Sequence, residues 1–236
     1  MESFARFYEN HGLLSAREHP QWYFISGGSQ SYVRTFLETF SGEALPGTPA
    51  SSIRRHESGV SITLMEGGTR EFDAVVIAAH ADEALQLLED PSAEEQDLLS
   101  PWKYSSNQVF LHRDTSLLPP NLRARSSWNT IREEGHTTQS PITVTYDMNR
   151  LQKLQSRSTY CVTLNPARPV KKEQVIESIA YTHPVFSFAA MDTQSGLNRL
   201  NGHRNTWFCG SYFGYGFHED AVRSSVEVGR RFGVEL

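Results

Sequence analysis

Two hydrophobic periods run along this chain, and each predicts a different kind of element. Apolar residues recur every three or four positions in residues 3–10 and again from Gln30 to Phe40, which is the spacing of one helix face. In the second stretch they predict a buried stripe formed by Val33, Phe36, Leu37 and Phe40. Shorter helices are predicted at Glu83–Leu88 and Asp192–Leu200.

Period-two alternation between Gly47 and Ala79 predicts a three-stranded meander. Its strands are expected at Ser51–Arg55, Val60–Leu64 and Phe72–Ala79, joined by the turns Ser58-Gly59 and Gly67-Gly68. The part of the last strand from Ala74 to Ala79 is apolar throughout, so we expect it to be buried on both faces.

The middle third of the chain contains several strand patterns with no long helix between them. That arrangement is typical of a mostly antiparallel sheet, and the fold class predicted for the whole chain is therefore α+β. The expected strands are Asn107–His112, Ser126–Arg132, Ile142–Tyr146, Thr159–Leu164 and Val175–Tyr181.

The stretch Thr206–Arg231 combines a short apolar strand, a glycine loop and a helix start. The loop holds three glycines and three aromatics, and Glu219-Asp220 leads into the helix. Glycine allows close backbone approach, and first-turn amides lack partners inside their own helix, which suits a flat, polar ligand. An ordinary strand-turn-helix with an aromatic cluster in the core explains the same pattern, and the glycine spacing is not that of a phosphate loop.

Composition narrows the class of protein. The chain has 236 residues, a net charge of -5 and no basic block, which argues against nucleic acid as a partner. No apolar run approaches the roughly 20 residues of a membrane-spanning helix, and the N-terminus lacks the apolar core of a secretory signal. Cys161 and Cys209 lie far apart, as expected for free thiols in a reducing compartment, so we expect a cytoplasmic protein.

Candidate chemistry is sparse. Carboxylates lie beside the imidazoles of His80, His112 and His218, but none of these forms the i, i+4 pair of a helical zinc site, so no metal is expected. No Gly-x-Ser-x-Gly elbow is present, which argues against a hydrolase. We assign no catalytic residue from the sequence.

The glycine loop resembles a known cofactor motif. Phe208–Ser211 and Gly214–Val222 are similar to the C-terminal flavin motif of the amine oxidase-like FAD oxidoreductases, and most similar to a branch of predicted NAD/FAD-binding amine oxidoreductases. Tyr212 is a departure, because classical amine oxidases have a glutamate there. Further resemblance lies in Pro49–Ile53 and Val76–Ala79, and in stretches that include Thr145–Gln152, Thr163–Pro166 and His183–Phe186.

The resemblance implies an FAD site and a division of the chain. It implies a partial FAD-binding domain at residues 1–100, an antiparallel substrate-domain sheet at 101–200, and a return to the FAD-binding domain at 201–236. The implied cofactor-binding residues are Ala50, Ser51, Ala78, Ala79, Gly210, Ser211, Tyr212, Gly216, Phe217, His218, Glu219, Asp220 and Ala221. Other roles remain open for some of these residues. Glu219 and Asp220 are also suited to capping the helix, and the loop aromatics are also suited to packing in a core.

The Gly-x-Gly-x-x-Gly fingerprint of a complete FAD enzyme is absent from this sequence. We therefore expect the chain alone to bind FAD weakly or not at all. Our first hypothesis is that the chain is part of a flavin-dependent oxidoreductase, which oxidises an amine or lipid-like small molecule by hydride transfer. The alternative is a non-catalytic remnant that serves as a binding or interaction module. An uncovered apolar face would favour a homo-oligomer.

Overall fold

The computed structural model describes residues 8, 9, 14, 21, 23–132 and 142–235. The helix predicted over residues 3–10 lies largely outside this part of the chain. The chain divides into two compact units, one from residues 1–103 and 184–236 and the other from residues 104–183. The domain limits implied by the resemblance stay a prediction.

The described residues form a mixed α+β structure, which confirms the predicted fold class. The helices are α1 (Gln30–Thr39), α2 (Ala81–Leu87), α3 (Ala93–Leu99), α4 (Met148–Leu151), α5 (Phe188–Thr193) and α6 (His218–Arg231). The strands are β1 (Ala50–His56), β2 (Gly59–Leu64), β3 (Thr69–Phe72), β4 (Val75–Ile77), β5 (Lys103–His112), β6 (Trp128–Ile131), β7 (Thr143–Asp147), β8 (Cys161–Leu164), β9 (Val175–Val185) and β10 (Thr206–Phe208). Short 3₁₀ helices include Gln194–Leu200 and Ser211–Phe213.

The first unit contains the predicted meander, but its third strand is shorter and lies earlier than predicted. Strands β1, β2 and β3 form an antiparallel sheet in that order. The chain bends at Asp73, and β4 leaves this sheet to pair in parallel with β10. The prediction of one buried strand over Phe72–Ala79 is therefore wrong. Neighbouring residues of β4 point to opposite faces of this sheet, and Ile77 is buried while Val76 is 44% exposed, so only one face of the strand is covered.

A buried ion-pair network joins β1 to the segments beside α3 and β10. The Arg55 side chain is fully buried and donates to both carboxylate oxygens of Glu95 and to the Asp90 carboxylate, with Nε 2.9 Å from Asp90 Oδ1. Arg204 binds the same Asp90 carboxylate. Burial alone would raise the pKa of Glu95, but hydrogen bonds from Arg55 and Ser92 outweigh it and hold that pKa below its usual value. Every charge that this network buries is therefore matched by an opposite charge.

The second unit is built on a five-stranded sheet in the order β6-β7-β8-β5-β9. The pairings β6–β7, β7–β8 and β5–β8 are antiparallel, as predicted. Strand β9 is an edge strand of 11 residues, longer than the predicted Val175–Tyr181. The middle third therefore forms the expected mainly antiparallel sheet.

Helix α1 has nearly the predicted limits but not the predicted burial. None of its residues is buried, and the predicted stripe is 43% exposed at Val33, 58% at Phe36, 47% at Leu37 and 45% at Phe40. The pattern identifies the face that favours burial, and no described residue buries it. Among the described residues, no helix is long and apolar enough to cross a membrane.

Candidate functional site

Two parallel strands end side by side at the candidate site. In β4 and β10, Ile77 lies opposite Phe208, and the amide of Cys209 continues the ladder by donating to the Ile77 carbonyl at 3.3 Å. A Cβ atom added at Gly210 would lie 3.6 Å from the Ala79 carbonyl oxygen. The structure therefore brings the predicted residues Ala78 and Ala79 to the same edge as Gly210 and Ser211. Carboxyl ends of parallel strands are a common place for ligands to bind.

The loop after β10 is held by a side chain from a distant part of the chain. Gln194 directs its amide nitrogen at two loop carbonyls, at 2.9 Å from Tyr212 O and 2.6 Å from Gly214 O. Gly216 has φ +93°, a conformation that favours glycine, and a Cβ atom there would lie 3.2 Å from the Phe186 ring. The hydrogen bonds from Gln194 therefore hold the loop in one defined conformation.

Asp220 organises the same loop from the start of α6. Its Oδ2 accepts from the amides of Tyr215 at 2.9 Å and Phe217 at 3.1 Å, and Arg223 donates to its Oδ1 at 2.7 Å. The residue is 5% exposed, and a Cβ atom at Gly214 would overlap its carboxylate. The Asp220 carboxylate is therefore occupied by its own loop, so it acts as a helix cap.

The buried face of α6 is largely polar. The buried residues are Asp220, Ser224 and Val228, whereas the apolar residue Val222 is 53% exposed. Ser224 Oγ accepts from the Gly210 amide at 2.9 Å, and its one proton is shared between the carbonyls of Ala221 at 2.8 Å and Gly210 at 3.2 Å. Residues at i, i+4 and i+8 share a helix face, so two polar residues in this stripe fix the helix against the loop.

The first turn of α6 presents unpaired backbone donors. Within the described part of the chain, the amides of His218 and Glu219 have no protein acceptor, and both residues are exposed. The positive end of the helix dipole lies at these amides. Ala221 is half-buried, and its amide donates to the Phe217 carbonyl at 3.2 Å. This helix start can donate to an electron-rich edge of a ligand.

The loop aromatics divide between the core and the surface. Tyr212 is 1% exposed, with its ring 5.8 Å from that of Trp102 and 4.9 Å from that of Phe213. Phe217, at the helix start, is 49% exposed. A ligand of this loop could therefore contact the Phe217 ring, whereas the Tyr212 ring belongs to the core.

The predicted residues Ala50 and Ser51 lie in a different sheet from the other candidates. Ala50 pairs with Leu64 at the start of β1, and the Ser51 hydroxyl donates to the Thr63 carbonyl at 3.1 Å. Both contacts lie within the three-stranded sheet. The glycine loop is held by different residues, namely Gln194, Asp220 and Ser224. No group of three metal-ligating side chains occurs among the described residues.

The sequence that contains the glycine loop and its two strands matches a known protein family. Residues 4–231 match the family of flavin containing amine oxidoreductases, and the chain is therefore a member of that family. The family uses FAD and oxidises small amines. No curated protein sequence matches the chain significantly.

Solved structures of similar fold include three different kinds of enzyme. A fatty acid isomerase from P. acnes that produces CLA has a TM-score of 0.60 and 15% identity, over 88% of this chain and 52% of that one. A putrescine oxidase bound to putrescine has a TM-score of 0.59 and 12% identity, over 89% of this chain and 53% of that one. A reduced UDP-galactopyranose mutase has a TM-score of 0.60 and 13% identity, over 89% and 52%. The chain thus spans about half the length of each, and these likenesses show the fold.

Two residues that fix the loop were missed in the sequence: Gln194 and Ser224. Gln194 lies 18 residues before Tyr212 and carries no local signal. Ser224 and Asp220 did carry one, since they and Val228 recur every four residues. A search for apolar residues alone passes over a stripe that is mostly polar.

Proposed function

We propose that this chain is part of an FAD-dependent oxidoreductase that oxidises an amine or lipid-like small molecule by hydride transfer to flavin. The observation that carries the proposal is the pair of exposed, unpaired amides at His218 and Glu219, beside a loop fixed by Asp220, Gln194 and Ser224. FAD, when bound, supplies the hydride acceptor. The chain's own residues would hold one edge of it.

The charges around the helix start favour a flavin ring over a phosphate. Glu219 is exposed and carries a negative charge in the first turn of α6, where it would repel an anionic phosphate. A neutral ring edge with carbonyl and nitrogen acceptors meets the His218 and Glu219 amides without that penalty. The exposed Phe217 ring lies next to these amides in sequence and offers an apolar contact.

The assignment of Ala50, Ser51, Ala78, Ala79 and the loop residues to FAD remains part of this proposal. The contacts at Ala79 and Gly210 support one cluster, while Ala50 and Ser51 would meet a different portion of the cofactor. We propose that the chain alone binds FAD weakly, because it lacks the glycine fingerprint that holds the pyrophosphate.

Titration of the full chain with riboflavin, ADP and FAD tests the proposal. Riboflavin is expected to shift the amide NMR signals of His218 and Glu219, while ADP leaves those signals unchanged. Shifts confined to other regions, or no shift at millimolar riboflavin, would reject the ring-edge assignment. Micromolar or tighter binding of FAD would reject weak binding by the chain alone.

A non-catalytic binding or interaction module is the second candidate. The uncovered face of α1 favours it, because a surface of large apolar side chains is typical of a contact with another protein surface. Hydride transfer to flavin by the chain together with any glycine-fingerprint unit encoded upstream would favour the enzyme. Absence of flavin from such a longer protein would favour the module.

A further inference from the structure

Three connections of the chain meet at one end of the five-stranded sheet. Since β5, β8 and β7 are antiparallel neighbours, the last residues of β5 and β7 lie beside the first residues of β8. Strand β6 begins at this end too, because Trp128 pairs with Tyr146. So does β9, because the Arg113 amide donates to the Gln174 carbonyl at 2.9 Å. We call the three connecting segments at this end of the sheet the basic end: residues 113–127, 148–160 and 168–174.

The basic end concentrates positive charge that is dispersed along the sequence. Each of its three segments contains three Lys or Arg residues, nine in all. The acidic residues of the segments are Asp114 and Glu173, and Asp147 lies at the adjoining end of β7. Because the nine basic residues come from separate segments, no single run of the sequence shows the cluster. Only the pairing of the strands brings these residues to one end.

Two of the three acidic side chains are committed to the unit itself. Asp114 is 1% exposed and accepts from the Lys171 amide at 3.1 Å, and Asp147 is 4% exposed and accepts from the Arg150 amide at 3.2 Å. The Lys171 and Arg150 side chains lie 3.9 and 3.4 Å from the same two carboxylates. When these two pairs are set aside, seven basic side chains remain against the exposed Glu173.

Four of the basic side chains are exposed and make no hydrogen bond or ion pair with another described residue. They are Arg123, Lys153, Arg157 and Lys172. Like charges that share one end of a sheet repel one another, so an anionic surface that lies across them is attracted by all of them together.

Exposed apolar side chains lie among these charges. Leu122 is 65% exposed in a 3₁₀ turn, and Leu151 is 42% exposed at the end of α4. Arg150 Nη2 lies 3.5 Å from the Leu122 carbonyl oxygen, which places the turn beside α4. Trp128 is 61% exposed at the start of β6. Apolar side chains that project among Lys and Arg are typical of proteins that bind the surface of an anionic membrane.

The exposed leucines distinguish between two anionic partners. Nucleic acid is bound through phosphate contacts, base hydrogen bonds and aromatic stacking, and it offers no apolar phase to an aliphatic side chain. A bilayer offers anionic headgroups with hydrocarbon directly beneath them. Leu122 and Leu151 therefore favour a lipid surface over nucleic acid.

We propose that the basic end binds the surface of a lipid bilayer that contains anionic headgroups. The exposed Lys and Arg side chains meet the headgroup charges, while Leu122 and Leu151 enter the layer below them. The whole chain has a net charge of -5, but charges separated by more than the Debye length of about 8 Å are largely screened at physiological ionic strength. The local cluster therefore governs the contact, and the proposal is independent of the flavin site.

Cosedimentation of the full chain with lipid vesicles tests this proposal. Vesicles of phosphatidylcholine with about 30% phosphatidylserine are expected to bind about tenfold more tightly than vesicles of phosphatidylcholine alone, and added salt should weaken that binding. R123Q/K153Q/R157Q/K172Q removes the four side chains that have no described partner. It should weaken binding to the anionic vesicles by about tenfold or more.

A second quadruple variant separates the cluster from the net charge. R34Q/K103Q/R230Q/R231Q removes four exposed basic side chains from the first unit, so it changes the net charge by the same amount. Its binding to the anionic vesicles is expected to stay within about twofold of the unmodified chain, because distant charges are screened. Equal weakening by the two quadruple variants would overturn the proposal, since net charge would then control binding.

The variant L122Q/L151Q separates a membrane from nucleic acid. It should weaken binding to the anionic vesicles by about tenfold, because less apolar surface enters the bilayer. Both leucines are exposed, so the variant is expected to keep the thermal midpoint of the unmodified chain. Equal binding to the two kinds of vesicle, no binding to either, unaltered binding in L122Q/L151Q or in the variant that lacks the four unpartnered charges, or tighter binding of single-stranded RNA than of the anionic vesicles would each overturn the proposal.

Discussion

At the scale of single residues, Asp220 shows how a charged side chain can be both buried and stabilising. Its carboxylate replaces water with two backbone amides and Arg223, so the cost of burial is met by charge-assisted hydrogen bonds. These bonds hold the loop that leads to the His218 and Glu219 amides. The resemblance placed Asp220 among the cofactor-binding residues, and in the structure its carboxylate accepts from two loop amides and from Arg223.

Removal of the Asp220 carboxylate is expected to cost about 2 kcal/mol of unfolding free energy, because D220A leaves the amides of Tyr215 and Phe217 without their acceptor. D220N should recover part of this loss, since one amide oxygen still accepts. Urea denaturation measures the difference. E219Q is the matched control, because it alters an exposed neighbouring carboxylate, and a surface change of this kind is expected within about 0.5 kcal/mol. Equal losses in D220A and E219Q would contradict the role of Asp220.

His112 predicts a dependence of stability on pH. Its burial lowers the pKa of the imidazole from the usual 6.5, and the opposing effect of Asp114 is smaller. Because the unfolded chain takes up this proton at higher pH than the folded chain does, stability is full above pH 6.5 and is lost as pH falls through the folded pKa.

Urea denaturation of the unmodified chain and of H112Q over this pH range measures that contribution. The unmodified chain should lose unfolding free energy below pH 6.5, and H112Q should lose less over the same interval. H203Q retains His112 and should keep the dependence of the unmodified chain. An identical pH dependence in H112Q would show that His112 does not titrate as its surroundings predict.

At the scale of elements, the glycine loop is shaped by what surrounds each glycine. A Cβ atom at Gly214 would overlap the Asp220 carboxylate, whereas at Gly229 in α6 it would lie 3.9 Å from the Val234 carbonyl, an ordinary contact. G214A should therefore destabilise by displacing Asp220, while G229A should stabilise α6 by up to about 1 kcal/mol.

A double-mutant cycle tests the cause assigned to G214A. If the alanine acts by displacing Asp220, then G214A should cost much less in the D220A background than in the unmodified chain. The thermal midpoint and urea denaturation both report this coupling. Additive losses would mean that Gly214 has a separate structural role.

Local sequence patterns predicted the positions of helices and strands better than they predicted which strands pair with one another. The limits of the strand predicted at Val60–Leu64 and of the helix from Gln30 were confirmed almost residue for residue, since both elements depend on short-range spacing. The split between β3 and β4 was missed because only pairing with β10, far along the chain, distinguishes one sheet from two. The clustering of Ala79 with Gly210 followed from the resemblance, whereas the Gln194 clamp depends on a contact that no local pattern records.

At the scale of the whole molecule, apolar surface remains where the sequence predicted a core. The α1 face was predicted as buried from the same spacing that predicted the helix, and it is exposed throughout. A contiguous set of large apolar residues favours association, since burying it removes apolar area from water. The known structures of similar fold are about twice as long as this chain, so more surface is available to cover such a face in them.

Self-association through α1 is therefore expected, and sedimentation velocity measures it over a range of protein concentrations. The unmodified chain should form oligomers as concentration rises, because the faces of two copies exclude water from Val33, Phe36 and Leu37 together.

F36E places a charge at the centre of this stripe, and a dimer would have to bury it without a partner, so F36E should remain monomeric. M65E is the control, because Met65 is 70% exposed but isolated at the β2–β3 turn. A clean monomer for the unmodified chain at high concentration would show that the exposed stripe of α1 does not drive association by itself, and a shift of M65E equal to that of F36E would show that net charge controls it.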